Sequence, residues 1–245
     1  MRDMGALTRD MRQRLYPRPE NEPTALTVRH QEPSIIHSVD IEATESTESL
    51  VALLLKAAAN AQHISLSVLT KRCADPMSAG FVEQWPGEHY RLLGGLAEAV
   101  DARRIVDVGT YTGLSALSLG HFGAHVVTYD IHGWSTFEDT ALREADFEGE
   151  IEQRIGDLSD PAFFSSQTGV LRDADLIFVD GPKDGVFEWK FADLLYSALA
   201  DKSTVIVWDD TRLMNMVAFW AALTAPKLDA TSLGHWSGTG LTLAS

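Results

Sequence analysis

The chain has a single cysteine, Cys73, so no disulfide can close within it and no cluster of thiolates can hold a metal. That usage fits a reducing compartment, and a cytoplasmic location is the expectation. Basic residues are also few: 20 Lys and Arg stand against 35 Asp and Glu, a formal net charge of −15. Such a balance repels a phosphate backbone unless the basic residues cluster, and no cluster is visible, so nucleic acid is not an expected partner. Long apolar runs are missing as well. The apolar runs, Leu50 to Leu55 and Met216 to Leu223 among them, are far too short to cross a bilayer, and the Arg/Asp-mixed beginning lacks the apolar centre of a signal peptide, so no membrane is expected. The eight histidines show no metal-ligand spacing, and there is no internal repeat. At 245 residues the chain suffices for one large α/β domain that buries about three-quarters of its unfolded surface, and not for a second full one.

What is present is concentrated between Arg104 and Asp130. The stretch RIVDVGTYTGLSALSLGHFGAHVVTYD opens on a short apolar run, Ile105 to Val108, broken only by Asp107, and then carries two glycines four apart, Gly109 and Gly113. A helix-like segment, Leu114 to Leu119, follows, and a second β-rich run, His125 to Tyr129, closes on Asp130. Strand, glycine turn, helix and a strand ending in a carboxylate form the opening unit of α/β nucleotide-binding folds. Glycines let the backbone turn tightly and approach a ligand, and the helix start behind them offers unpaired N–H groups. Asp130, 21 residues past Gly109, stands where a carboxylate accepts hydrogen bonds from both hydroxyls of a ribose. A dinucleotide site wants GxGxxG, whereas Tyr111 fills the middle position here and crowds a pyrophosphate. Asp107 also puts an anion at the strand end, which suits a cationic ligand better than a diphosphate. S-adenosylmethionine (SAM), a sulfonium, is such a ligand.

Around this unit the pattern predicts alternating elements. Residues 1 to about 45 mix Arg, Glu, Pro and Thr and read as an extended arm with a short strand at Ser34 to Ile41. Leu50, Leu53, Leu54, Ala57, Ala58 and Ala61 recur at helical spacing, a short helix begins at Ile64 to Val68, and Pro76 and Gly80 mark Cys73 to Gly80 as loop. A helix with Tyr90, Leu92, Leu93, Leu96 and Val100 then precedes the first strand. Beyond Asp130 come a polar helix to about Phe147, a strand at Ile151 to Ile155, a short helix at Asp160 to Ser166 and a strand at Asp175 to Val179. A helix at Phe187 to Leu199, a strand at Ser203 to Trp208 and a helix at Thr211 to Leu223 follow. Two β runs, Thr231 to Trp236 and Thr239 to Ala244, read as a closing hairpin around Ser237-Gly238. The expected fold is α/β: a doubly wound, mostly parallel seven-stranded Rossmann-like sheet with an antiparallel C-terminal hairpin strand and an N-terminal helical extension. The expected organisation is an arm over 1–45, a helical extension over 46–85 acting as lid or dimer contact, and the cofactor-binding domain over 86–245.

Open α/β sheets bind ligands at the carboxyl ends of their strands. The fourth strand ends in Asp180, within FVDGPKD, and the fifth in Asp209 and Asp210, within VWDDTR. Three carboxylates converging on one edge repel one another unless a cation neutralises them. An all-oxygen set of this kind suits Mg²⁺, Mn²⁺ or Ca²⁺ better than Zn²⁺.

The string VDVGTYTGLSAL resembles motif I of class I SAM-dependent methyltransferases, and is most like the small-molecule O-methyltransferases related to catechol and caffeoyl-CoA O-methyltransferases. The closing GTGLTLA resembles that family's last strand, and the resemblance covers roughly residues 86 to 245. It implies that Asp107 holds the methionine end, that Gly109 and Tyr111 line the cofactor together with Thr110, Gly113 and Ser115, and that Asp130 binds the ribose. It also places Gly156 and Asp157 against the adenine, with Asp157 accepting from the exocyclic amine and Ile131 on the ring face. In the metal-dependent members an Asp after strand four and an Asp-Asn pair after strand five hold the ion, and a Lys three residues beyond the first Asp is the base. Asp180, Asp209 and Lys183 match in type and spacing, so Asp180 and Lys183 are the implied catalytic residues and Asp180 lies between cofactor and metal. Asp210 stands where the family has Asn, and Pro182 where catechol O-methyltransferase has an aromatic residue. For Lys183 to act as a base its pKa must be depressed by the ion and by partial burial. The related enzymes often pair through N-terminal extensions, so a homodimer is implied.

Ordinary readings stand beside these. Asp157 can cap the next helix, Asp180 and Asp209 can be solvated loop carboxylates, Lys183 can be solvated, and Trp85, Trp134, Trp208 and Trp236 read as core or rim residues. His89 and His132 are minor candidates for substrate contact. The expected function is SAM-dependent methyl transfer to a small-molecule hydroxyl, assisted by a divalent cation. Alternatives are a metal-independent methyltransferase of amines or carboxylates, a non-catalytic binding module of the same fold, and an NAD-dependent oxidoreductase, which Tyr111 disfavours.

Overall fold

The computed structural model describes residues 48–83, 87–234 and 236–244. The expected arm over 1–45, with its strand at Ser34 to Ile41, lies outside the described residues, as do Trp85 and Pro86.

Five strands run parallel: β1 (Arg104–Val108), β2 (His125–Asp130), β3 (Ile151–Ile155), β4 (Leu176–Val179) and β5 (Thr204–Asp209). β6 (Lys227–Asp229) and β7 (Thr239–Ala244) complete the sheet, β7 lying antiparallel to both β5 and β6. The order is β3-β2-β1-β4-β5-β7-β6, the doubly wound seven-stranded sheet expected, with an antiparallel C-terminal strand. The direction of winding reverses between β1 and β4, so a crevice opens beyond their carboxyl ends.

Period-two alternation divides the strand side chains between two cores. Ile105, Phe178 and Val207 pack on one face with Leu92, Leu93 and Leu96 of α4 (Gly87–Ala99). Val106, Ile177 and Ile206 pack on the other with Phe164 of α6 (Pro161–Asp173) and Phe191 of α7 (Phe187–Ala198). The first core also takes in α1 (Glu48–Ala61) through Leu50, Leu54 and Ala57. Gly95 is what lets α1 approach α4: a Cβ there would lie 2.3 Å from the Ala57 carbonyl oxygen.

Several local expectations fail for identifiable reasons. α2 (Leu66–Arg72) is followed not by a loop to Gly80 but by α3 (Pro76–Glu83), because Pro76 sits in the first turn and Asp75 Oδ1 accepts the Met77 N–H at 2.7 Å. The polar stretch after Asp130 forms only two single-turn 3₁₀ helices, Trp134–Thr136 and Glu144–Phe147. Its backbone bonds go to tertiary partners instead: Ala141 N–H donates to Thr112 O at 2.7 Å, and Ala74 N–H to Ala141 O at 2.8 Å. α6 runs past Ser166 to Asp173, since Phe164 and Leu171, two turns apart, are both buried. α8 (Met216–Ala222) starts later than Thr211 because the chain first turns through Asp210 and Met214, both at positive φ. Where a strand was expected over Thr231 to Trp236, the described residues Thr231 to Gly234 form a turn. Pairing with β7 falls on Lys227–Asp229 instead, and Asp229 Oδ1 accepts the Thr231 N–H at 2.8 Å to begin the reversal.

Candidate functional site

β1 delivers the glycine turn to the crevice. Gly109 has φ +102°, and a Cβ on it would lie 2.1 Å from the Asp180 carbonyl oxygen, so two independent reasons require glycine. The N–H groups of Gly109 and Thr110 both donate to Tyr129 O, at 2.8 and 3.1 Å, and anchor the turn on β2. Gly113, at φ +84°, begins α5 (Leu114–Leu119), and a Cβ there would strike the Leu142 side chain.

Asp130 shapes the outer half of the turn. Its Oδ2 accepts the Tyr111 N–H and its Oδ1 the His132 N–H, each at 2.9 Å. Every carboxylate oxygen has two acceptor directions, so this fixed group keeps capacity for further donors. Behind it, the Thr128 hydroxyl donates to Asp107 Oδ2 at 2.6 Å and receives from Thr110 Oγ1 at 2.7 Å, so Thr110 turns its side chain inward. Asp107 is fully buried, and its Oδ1 has no hydrogen-bond partner among the described residues. Burial pushes its carboxyl up to about 7, with Asp180 and Asp130 adding to the rise while Thr128 and Ser115 oppose it. A buried carboxyl with one free acceptor calls for a cationic or N–H donor. The ammonium and sulfonium of SAM fit that need, and Asp130 fits a ribose.

Three large apolar side chains are exposed around the same strand ends: Tyr111 (59%), Ile131 (62%) and Ile155 (52%). Asp157, also exposed, uses Oδ1 to accept the Ser159 N–H at 2.8 Å, while the cap of α6 is Asp160, which accepts from Ala162 and Phe163. Gly156 leaves room for the Phe163 ring, which a Cβ would meet at 2.3 Å. Ser115 is buried in the first turn of α5, behind the glycine turn.

Across the crevice the three carboxylates converge as expected: ligating oxygens of Asp180, Asp209 and Asp210 all lie within 4.8 Å of one another. Burial raises the Asp209 carboxyl well above its ordinary value, and Asp180 and Asp210 push it further while Lys183 opposes. An oxygen set of this kind fits a hard divalent cation. Lys183 sits among these carboxylates. Burial alone disfavours its ammonium, but Asp180 and Asp210 outweigh it and raise its pKa; the depression expected of a base concerns the ion-loaded site. Its Nζ is ion-paired with Asp180 Oδ1 and lies 2.8 Å from Asp210 Oδ2.

Neighbours that the pattern did not single out complete the site. Glu188, buried in the first turn of α7, accepts the Lys183 N–H at 2.8 Å and the Gly185 N–H at 3.2 Å. Asn215 Nδ2 donates to Lys183 O at 3.3 Å. From α4 comes the minor candidate His89, buried, with Nδ1 3.9 Å from Asp209 Oδ1. Burial, then Asp180 and Asp209, raise the phenol of Tyr90 beside it. His132 instead faces Phe137, ring centroids 6.4 Å apart, and Trp208 and Trp134 behave as packing residues, one fully buried and one stacked on Phe147.

No protein-family model matches the chain, and no curated protein matches it in sequence. Solved structures match it in fold. A Staphylococcus aureus protein named for caffeoyl-CoA O-methyltransferase superposes with a TM-score of 0.54 at 15% identity, over 81% of this chain and 98% of its own. The S-adenosylhomocysteine-bound methyltransferase of Podospora anserina gives a TM-score of 0.51 at 17% identity, over 81% of this chain and 96% of its own. What these share with the present chain is the fold, that of the class I SAM-dependent O-methyltransferases.

Proposed function

We propose that this chain is a SAM-dependent methyltransferase that transfers a methyl group to the hydroxyl of a small molecule, with a divalent cation held by Asp180, Asp209 and Asp210. The observation that carries the reading is contact between two half-sites. Gly109, in the turn suited to SAM, lies against the backbone of Asp180, the first member of the carboxylate group. Methyl donor and acceptor oxygen therefore have adjoining places.

Transfer from a sulfonium is an in-line displacement: the acceptor oxygen bonds to the methyl carbon as the carbon–sulfur bond breaks and sulfur keeps the electron pair. Holding the reactants in line supplies on the order of 7 to 11 kcal/mol. In this chain Asp107 offers a carboxylate to the cationic end of the cofactor, and Asp130, already fixed by Tyr111 and His132, receives the ribose hydroxyls. Tyr111, Ile131 and Ile155 supply apolar surface on which an adenine can lie. A bound divalent ion supplies positive charge that orients a hydroxyl and lowers its pKa. His89 and Tyr90 bring α4 against the same carboxylates and bound the acceptor side. Lys183 holds its protons against Asp180 and Asp210, and serves as a base for the hydroxyl proton only when those oxygens are engaged by another cation.

The test is S-adenosylhomocysteine release from SAM with a panel of phenolic and aliphatic hydroxyl acceptors, with Mg²⁺ or with excess chelator. Release that requires both an acceptor and the ion is expected. SAM binding without release for any acceptor would leave a binding module. A second reading, a metal-independent methyltransferase, draws on the ion pair of Lys183 with two of the three carboxylates, and activity undiminished by chelator would select it.

A further inference from the structure

We propose that Lys183 is a built-in occupant of the carboxylate cradle, so that its ammonium and a divalent ion compete for Asp180 and Asp210 and loading the ion displaces the lysine. The proposal rests on the reading that Asp180, Asp209 and Asp210 take a divalent cation.

Two of the three candidate ligands are already engaged. Nζ of Lys183 touches Asp180 Oδ1 and stands 2.8 Å from Asp210 Oδ2, and these carboxylates belong to the group whose ligating atoms lie within 4.8 Å of one another. An ammonium and a dication sharing the same oxygens repel at contact, so the two arrangements exclude each other. Three carboxylates outweigh one ammonium, so the cluster still attracts a dication while Lys183 is in place.

The backbone shows that the lysine is held there by construction. Lys183 adopts φ +58°, a conformation rare for a long side chain. Its N–H is taken by Glu188 Oε1 and its carbonyl by Asn215 Nδ2, at 2.8 and 3.3 Å, and Glu188 also holds Gly185. Asp184 fixes the rest of the turn by accepting the Val186 and Phe187 N–H groups at 2.7 and 2.9 Å. With the main chain pinned on both sides, the flexible four-carbon stem is the part free to swing away. The second hold on the ammonium exists because residue 210 is an acid. An amide there carries no charge to pair with Lys183, so this second hold belongs to Asp210, beside the ion pair with Asp180.

The experiment is calorimetric titration with Mn²⁺, without SAM or acceptor, of the 245-residue chain and of its Lys183→Gln and Lys183→Met forms. Thermal melts and SAM binding serve as controls of folding. At least tenfold tighter Mn²⁺ binding by both variants is expected. In parallel, reductive methylation read by mass spectrometry should label Lys183 of the unsubstituted protein faster when Mn²⁺ is present. Mn²⁺ affinity that is equal or weaker in the variants, or Lys183 labelling indifferent to Mn²⁺, would overturn the competition while leaving the cation site standing. No Mn²⁺ binding by any of the three proteins would overturn the cation reading and the proposal together. Should the glutamine form fail to fold, the labelling of the unsubstituted protein decides.

Discussion

The carbonyl oxygen of Asp180 stands 2.1 Å from where a Cβ on Gly109 would be, so the glycine turn packs directly against the backbone of the carboxylate cluster. Gly109→Ala should therefore damage both. The strained φ alone costs about 1 to 3 kcal/mol, and relief of the overlap has to move Asp180 as well. Chemical denaturation and SAM calorimetry on the variant should show lower stability and weaker binding. Unchanged values for both would mean that the turn is looser than its geometry.

Asp130 holds two backbone N–H groups and is the proposed place for the ribose. Asp130→Ala should lower SAM affinity by about 1.5 to 3 kcal/mol, the range for hydrogen bonds to a charged group. Calorimetry that returns the parent affinity would remove the ribose assignment.

Asp107 sets a pH dependence whose sign follows from its raised pKa. In the unfolded chain its carboxyl titrates near 3.8, and in the fold near about 7. Between those values the folded state keeps a proton that the unfolded state releases, so the stabilising contribution is complete below pH 3.8 and is lost as pH rises through about 7. Melting of the cofactor-free protein between pH 5 and 8 should show this decline, and Asp107→Asn should flatten it, a difference on the order of 2 to 4 kcal/mol at pH 8. SAM affinity should move the opposite way and rise with pH, because a cation prefers the ionised carboxyl. Parallel stability profiles for the two proteins would assign the slope to other groups.

Chelation should abolish turnover with SAM binding nearly intact, and Mg²⁺ should restore it. Asp209→Ala should behave as the chelated enzyme does. Lys183→Ala should lower kcat by about 10² to 10⁴ with little change in SAM affinity, the span for removal of a general base. Full activity of Asp209→Ala in initial-rate assays would contradict the role given to the cluster.

The strand, glycine turn and second strand from Arg104 to Asp130 were legible because each depends on local chemistry: a period of two, glycines at positive φ, and a carboxylate at a strand end. The convergence of Asp180, Asp209 and Asp210 was legible for a related reason, since parallel strands bring their carboxyl ends to one edge. Pro76 misled because its effect depends on position: it breaks a helix interior yet starts one when Asp75 caps it. Glu188 looks like any acid in a first helical turn. Only the turn folding back over it reveals an anchor for Lys183 and Gly185. The state of Lys183 was hidden too, because burial and paired carboxylates pull its proton in opposite directions and only distances decide between them.

The two ends of the sheet differ in a way that bears on self-association. Among the described residues β3 forms one margin and carries Glu152, Gln153 and Arg154 in sequence, with Arg154 Nε 2.7 Å from Glu152 Oε1. β6, at the other margin, is only three residues long. Unpaired strand margins invite aggregation by strand addition, and a charged row or a very short strand discourages it. Strand addition is therefore discouraged at both described margins of the sheet, by charge at β3 and by brevity at β6.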